Sequence, residues 1–315
     1  MPDVEMLHSQ QSKQRKISDF FILKNEIVKE VNVMPDYKEI IAISTSSYAG
    51  YSLPVALEHI LKIGFKQVEI AATSGQVEHV SLNDFNEKGA NRINQLLEQN
   101  GLSNTAFSGH IFISNKNAVD VFKPRMEFTK AIGAKIINTK AGPISEIKSF
   151  YKNLEKLVEF AEEIKIKIGL ETSADIVHDG VSGLDVIEKF SSDFLVLTYD
   201  CGNVFVNSGG RVDPAVEFEK ISDLIGHIHL KDVLKENGTD FWKMCAVGDG
   251  MVNYDQILKH LRQLKNPIST TIELPFCIKM HESGKVKILS DYMQLFEIDK
   301  ILKKSYRYVL NALSN

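Results

Sequence analysis

Four ionisable side chains in the second half of this 315-residue sequence stand in or directly behind short apolar runs. Ile168-Gly169-Leu170 leads into Glu171, Val196-Leu197-Thr198-Tyr199 into Asp200, and Thr271-Ile272 into Glu273, while His229 lies within His227-Ile228-His229-Leu230. A carboxylate behind an apolar run is expensive to bury unless it is paired or bound to a cation. Brought together, three carboxylates and an imidazole would repel one another, and a divalent ion among them resolves that conflict. Oxygen-rich ligation with a single imidazole favours Mn²⁺ or Mg²⁺, with Co²⁺ as a laboratory substitute, over a structural zinc site.

Taken singly, each residue has a plainer role. Glu171 or Glu273 could pair with a lysine of a neighbouring strand, and Asp200 could cap the turn through Cys201, Gly202 and Asn203. His229 alone fits a hydrogen-bonded core histidine. Their recurrence at equivalent positions on successive strands favours a common purpose.

The elements that must position them set in after residue 38. Short Ile, Val and Leu runs alternate with longer stretches of helical period, the pattern of repeated βα units. Strands are predicted at 40–43, 67–70, 104–108, 135–138, 166–170, 194–198, 226–230 and 270–274, with a helix between each pair. Ser52 and Pro54 open the first helix and Gly64 closes it. Others span roughly 84–99, 118–132 and 145–164, and an apolar-striped helix at 293–313 ends the chain. Eight such units close a parallel barrel, whereas an open doubly wound sheet would carry a glycine-rich phosphate turn after its first strand. That turn reads Ser44-Thr45-Ser46-Ser47-Tyr48-Ala49-Gly50, without such a motif. The fold expected is α/β: a (β/α)8 TIM barrel over residues 39–315, preceded by an N-terminal extension, residues 1–38, with a short amphipathic stretch at 17–33.

Composition narrows the class further. A hydrophobic fraction of 43% and a charged fraction of 25% are ordinary for a globular domain. A net charge of −4 with no basic block gives nucleic acid nothing to bind, and no apolar run is long enough for a membrane span. Cys201, Cys245 and Cys277 form no closely spaced pair, which fits a reducing cytoplasm.

The segments Gly169-Leu170-Glu171-Thr172, Tyr199-Asp200-Cys201-Gly202-Asn203, the run from Gly226 to Asp232, the run from Val247 to Tyr254, and Thr271-Ile272-Glu273-Leu274 resemble, in order and spacing, the xylose-isomerase-like superfamily of sugar isomerases and epimerases. Ketose 3-epimerases, inosose dehydratases and endonuclease-IV-type enzymes share it. The resemblance covers the chain from about Ile40 onward. It implies one divalent metal held by Glu171, Asp200, His229 and Glu273, with Glu171 and Glu273 also the catalytic acid/base pair, and often a homodimer or homotetramer. Strand alternation puts His227 and His229 on one face, so the choice of His229 rests on the motif. The sequence departs from the pattern at Asn203, where many epimerases carry a substrate-binding histidine, and at Met244, where a three-metal DNA-repair enzyme carries another. Asn203 can bond a substrate hydroxyl but cannot shuttle a proton near neutral pH.

The function implied is a metal-dependent isomerase or epimerase acting on a small ketose or modified sugar. The site would remove a proton beside the carbonyl to give an enediolate, then return it. Expelling a β-hydroxyl instead gives the inosose-dehydratase-like lyase outcome. A silent binding barrel and DNA repair rank lower. Lys231 would hold a substrate hydroxyl, carboxylate or phosphate, or else pair with Asp200 or Asp232. Glu69 and His110, just after strands two and three, would contact substrate or serve as ordinary polar rim residues. Phe241 and Trp242 would wall the sugar or pack on the barrel top, and Asn207-Ser208-Gly209-Gly210-Arg211 reads as a flexible turn and only a weak phosphate loop.

Overall fold

The computed structural model describes residues 36–173 and 176–314. Eight parallel strands close a barrel: β1 (Ile41–Ser44), β2 (Gln67–Thr73), β3 (Ser103–Phe112), β4 (Ile136–Lys140), β5 (Lys167–Glu171), β6 (Leu195–Asp200), β7 (Ile225–Leu230) and β8 (Ser269–Ile272). Each pairs with its sequence neighbour, and β1 bonds both β2 and β8, with Ile41 opposite Thr270 and Ala42 opposite Gln67. The expected extension at 1–38, with its amphipathic stretch, lies outside the described residues apart from 36–38.

Helices α1 (Leu53–Ile63), α2 (Glu87–Gln99), α3 (Ala118–Ala131), α4 (Ile147–Ile164), α5 (Gly180–Ile187), α6 (Cys201–Asn207), α7 (Pro214–Ile221), α8 (Tyr254–Gln263) and α9 (Leu295–Ser314) surround the strands. Their apolar stripes face the sheet, as Phe150, Leu154, Leu157, Val158 and Ala161 of α4 do. The last helix is clasped to the first: Asp299 accepts from Tyr48 Oη at 3.0 Å and lies 2.7 Å from His59 Nδ1, and Tyr306 packs on Phe65. Among the described residues no helix is long and apolar enough to cross a membrane. The cysteines are free thiols.

The connections after β7 and β8 hold further structure, including Phe241 and Trp242, which were expected in a loop. Asp232–Lys235, Phe241–Cys245, Ile278–His281 and Val286–Ile288 form an antiparallel four-stranded sheet. One face buries Val233, Trp242, Met244, Ile278 and Met280. Trp242 meets Phe205 of α6 edge to face, with centroids 5.4 Å apart, so it packs on the barrel top. Gly209 and Gly210 both have positive φ in the turn that follows α6.

The stretch Val247–Tyr254 proves to be a collar around Asp232. One carboxylate oxygen accepts from the backbone N–H of Val233 (2.9 Å) and Val252 (3.2 Å), and the other from Gly248 and Gly250 (2.9 Å each). A Cβ on Gly250 would lie 2.0 Å from Asp232 Oδ1, which is why that position has no side chain. Tyr254 Oη donates to the carbonyl of Lys231 at 2.9 Å, so the collar also fixes the backbone at the mouth of β7. Asp232→Ala strands these donors in a buried site, and its expected cost is roughly 2–4 kcal/mol in urea denaturation. A loss below about 0.5 kcal/mol would show that water replaces the carboxylate at no cost.

Candidate active site

The carboxyl ends of β5 to β8 deliver the four ionisable groups to one place. Glu171 ends β5, Asp200 ends β6, His229 lies one residue before the end of β7, and Glu273 follows β8. All are buried, and each offers an atom within 4.8 Å of those of the other three. His229 Nδ1 is the hub, 3.0 Å from Glu171 Oε1, 3.4 Å from Glu273 Oε2 and 3.8 Å from Asp200 Oδ2. The register places Asp200 opposite His229 and Thr198 opposite His227, so each pair stands side by side on the same face.

The two histidines that share that face have separate surroundings. His227 Nδ1 lies 2.9 Å from Ser269 Oγ, and its Nε2 lies 2.9 Å from Glu69 Oε2. Glu69 is wholly buried in the middle of β2, not on the rim just after it as the sequence reading expects. It faces His229 Nε2 at 3.1 Å and accepts from Asn138 Nδ2 at 2.8 Å and from Ser108 Oγ. Burial pushes the Glu69 carboxyl up, but the imidazoles of His229 and His227 outweigh it and hold the group well below the usual carboxylate range. Thr198 Oγ1 donates to Asn138 Oδ1 at 2.7 Å, passing over Gly169, where a Cβ would lie 2.2 Å from that hydroxyl. The glycine of the Gly169-Leu170-Glu171 segment therefore clears room for the bonded layer beneath the site.

Lys231 pairs with Asp200 (2.5 Å) and Glu273 (2.8 Å) and donates to Asn203 Oδ1 (3.2 Å), while Asp232 is engaged by the collar. Asn203 donates its amide to the carbonyl of Thr172 at 2.9 Å, so both ends of this side chain are committed. His110 and Lys140 sit on the other side of Glu171, at 3.8 and 3.9 Å from Oε2. Lys140 was not singled out from sequence. Its signal is the two-residue alternation of β4, since Asn138 and Lys140 share the inward face.

Electrostatics divide the two glutamates. Burial alone would raise both carboxyls. At Glu171 the surrounding His110, His229, Lys140 and Lys231 outweigh burial and hold it below the usual range. At Glu273 burial prevails over Lys231 and His229, assisted by the like charges of Glu171 and Asp200, and the carboxyl is raised. Burial also lowers His110 to about 4. Two carboxyls whose surroundings push them apart suit opposite ends of a proton transfer.

The donor set fits a divalent cation. Three buried carboxylates face one lysine and one imidazole, and hard oxygen donors with a single nitrogen suit Mn²⁺ or Mg²⁺. A second buried group, Glu69, His227 and His229, shares the imidazole of the first but is closed by its own hydrogen bonds.

A closed parallel barrel with carboxylates and an imidazole gathered at its carboxyl mouth defines a class of metal-site TIM barrels. The chain belongs to the xylose isomerase-like TIM barrel family, whose profile matches residues 57–276. A curated relative, the uncharacterized protein MJ1311 of Methanocaldococcus jannaschii, is 26% identical over 208 residues, which are 60% of this chain and 66% of that protein, just short of two thirds. Among solved structures, a D-tagatose 3-epimerase-like protein aligns with TM-score 0.62 and 19% identity, over 86% of this chain and 98% of that one. A probable 3-DHS dehydratase, AsbF, involved in petrobactin synthesis in Bacillus anthracis, aligns with TM-score 0.62 and 16% identity, over 87% and 98%. At these identities the structural likeness is one of fold.

Proposed function

We propose that the protein is a cytoplasmic, divalent-metal-dependent isomerase or 3-epimerase that moves a proton beside the carbonyl of a small ketose or modified sugar. The observation that carries this reading is the convergence of Glu171, Glu273 and Asp200 on His229 Nδ1, at 3.0, 3.4 and 3.8 Å. Glu171, Asp200, His229 and Glu273 would hold Mn²⁺ or Mg²⁺, with Co²⁺ as a substitute. When bound, the cation supplies a Lewis acid for the substrate's carbonyl oxygen. Glu171, the carboxyl held ionised, takes the proton from the carbon beside the carbonyl. Glu273 returns one from the other side. Asn203 cannot share that work, because both ends of its amide are bonded and it has no titrating proton. Lys231 bonds both Asp200 and Glu273 and keeps the latter carboxyl aimed at the site.

The same proton abstraction followed by loss of a β-hydroxyl makes the protein a lyase, a reading supported by the equal likeness to the probable dehydratase and the epimerase-like protein. One experiment separates the outcomes. Mn²⁺-loaded protein turned over with a ketose panel in D₂O is expected to introduce deuterium on carbon next to the carbonyl, read by NMR. A product lighter by one water marks the lyase, and turnover without any label rejects proton abstraction altogether.

A further inference from the structure

Glu171 stands at a border. Beyond it in barrel order, β6 to β8 bring Asp200, His229, Lys231 and Glu273, whose polar atoms are engaged with one another. Before it, β3 and β4 bring His110 and Lys140, which face Glu171 Oε2 at 3.8 and 3.9 Å without hydrogen-bonding it. His110 is 9% exposed, yet its buried Nδ1 has no hydrogen-bond partner. Such an orphan costs free energy unless an arriving group satisfies it. Lys140 Nζ has one carboxylate near it, Glu171 Oε2 at 3.9 Å, which is beyond hydrogen-bonding distance, and its side chain is 28% exposed. Glu171 meanwhile spends its other oxygen on His229.

Charge points the same way. Lys231 is engaged by Asp200 and Glu273, and Glu69 lies deeper among its own donors. Lys140, by contrast, has no hydrogen-bonded carboxylate among the described residues. We propose that His110 and Lys140 form the subsite for an anionic substituent, so that the substrate is a keto sugar bearing a terminal carboxylate or phosphate. The proposal rests on the reading of the site as one that works beside a carbonyl, and it names the substrate class. A lysine offers a point charge that suits either anion, and the His110 imidazole, with its unpartnered Nδ1, offers a second contact. The anion is then held beside Glu171, with the carbonyl end of the chain toward Asp200 and His229.

D-Fructose, D-fructuronate and D-fructose 6-phosphate share the same keto head and differ at the far carbon, so they isolate the substituent. Each is titrated calorimetrically into the protein with and without saturating Mn²⁺. The native protein is expected to bind one of the two anions about tenfold or more tighter than fructose. Which anion it prefers assigns carboxylate or phosphate. Lys140→Met should bring that ratio close to one, while Lys140→Arg, which keeps the charge, should preserve most of it. Equal binding of all three probes, or a preference that survives Lys140→Met, overturns the subsite. Failure of the protein to take up Mn²⁺ instead overturns the metal reading, and the metal-free titrations still decide the subsite.

Discussion

Glu171→Gln is expected to lower the rate of solvent-deuterium exchange into a turned-over ketose by about 10²–10⁴-fold. The substitution keeps the size of the side chain and one oxygen for a cation, and removes the basic lone pair that would take the proton. What makes Glu171 the base is its company. Burial would protonate it, but His110, His229, Lys140 and Lys231 hold it ionised. Glu273→Gln is expected to abolish net turnover as well, because the carboxyl that returns the proton is lost. If Glu273 donates only after the first transfer, its variant should retain some exchange on recovered substrate that Glu171→Gln lacks. An exchange rate within about tenfold of the native rate in Glu171→Gln would remove this residue from proton transfer. Mn²⁺ binding to the variant, measured in the same preparation, separates a lost base from a lost ligand.

Much of the barrel was legible because burial leaves few choices. Strands covered by helices on one side and closed on themselves must be nearly all apolar, so Ile136-Ile137 and Ile168-Gly169-Leu170 announce themselves, and a polar residue directly behind such a run is set at the rim. Depth was harder to read. Glu69 was read as a rim residue although the expected strand, 67–70, already contains it; β2 runs on to Thr73 and puts Glu69 inside the barrel. His110 was placed after a strand expected to end at Ser108, whereas β3 continues to Phe112 through a shift of register against β4. Polar residues inside a barrel weaken the apolar pattern, so the strands looked shorter than they are. The accessory sheet escaped for a different reason. Phe241–Cys245 pairs with Ile278–His281 across a helix and a barrel strand, and no local pattern carries such a pairing. Lys231 could reach Asp200 or Asp232 by spacing alone, and only the collar of backbone N–H groups shows why Asp232 is taken.

Glu69→Gln is expected to weaken Mn²⁺ binding by about 10–100-fold although Glu69 is not one of the four groups that would hold the cation. An imidazole can give a metal only the nitrogen that carries no proton, and the partner of the other nitrogen decides which one that is. Glu69 faces His229 Nε2 at 3.1 Å, so the Nε2 proton is retained there and Nδ1 is left for the cluster of Glu171, Asp200 and Glu273. The carboxylate is in turn oriented by Asn138 and Ser108, both of which donate to it. A glutamine in its place must turn its own N–H₂ toward one of these donors or toward His229, and either choice frees the imidazole to rotate or to change tautomer. His227→Asn removes the neighbouring ring but leaves Glu69 facing His229, so its effect on Mn²⁺ affinity should be much smaller. Calorimetric titration of Mn²⁺ into the three proteins, with thermal unfolding to confirm that each is folded, provides the comparison. Equal affinities in the native protein and Glu69→Gln would mean that His229 is held by its strand alone. A loss as large in His227→Asn would mean that any disturbance of the layer beneath the site suffices.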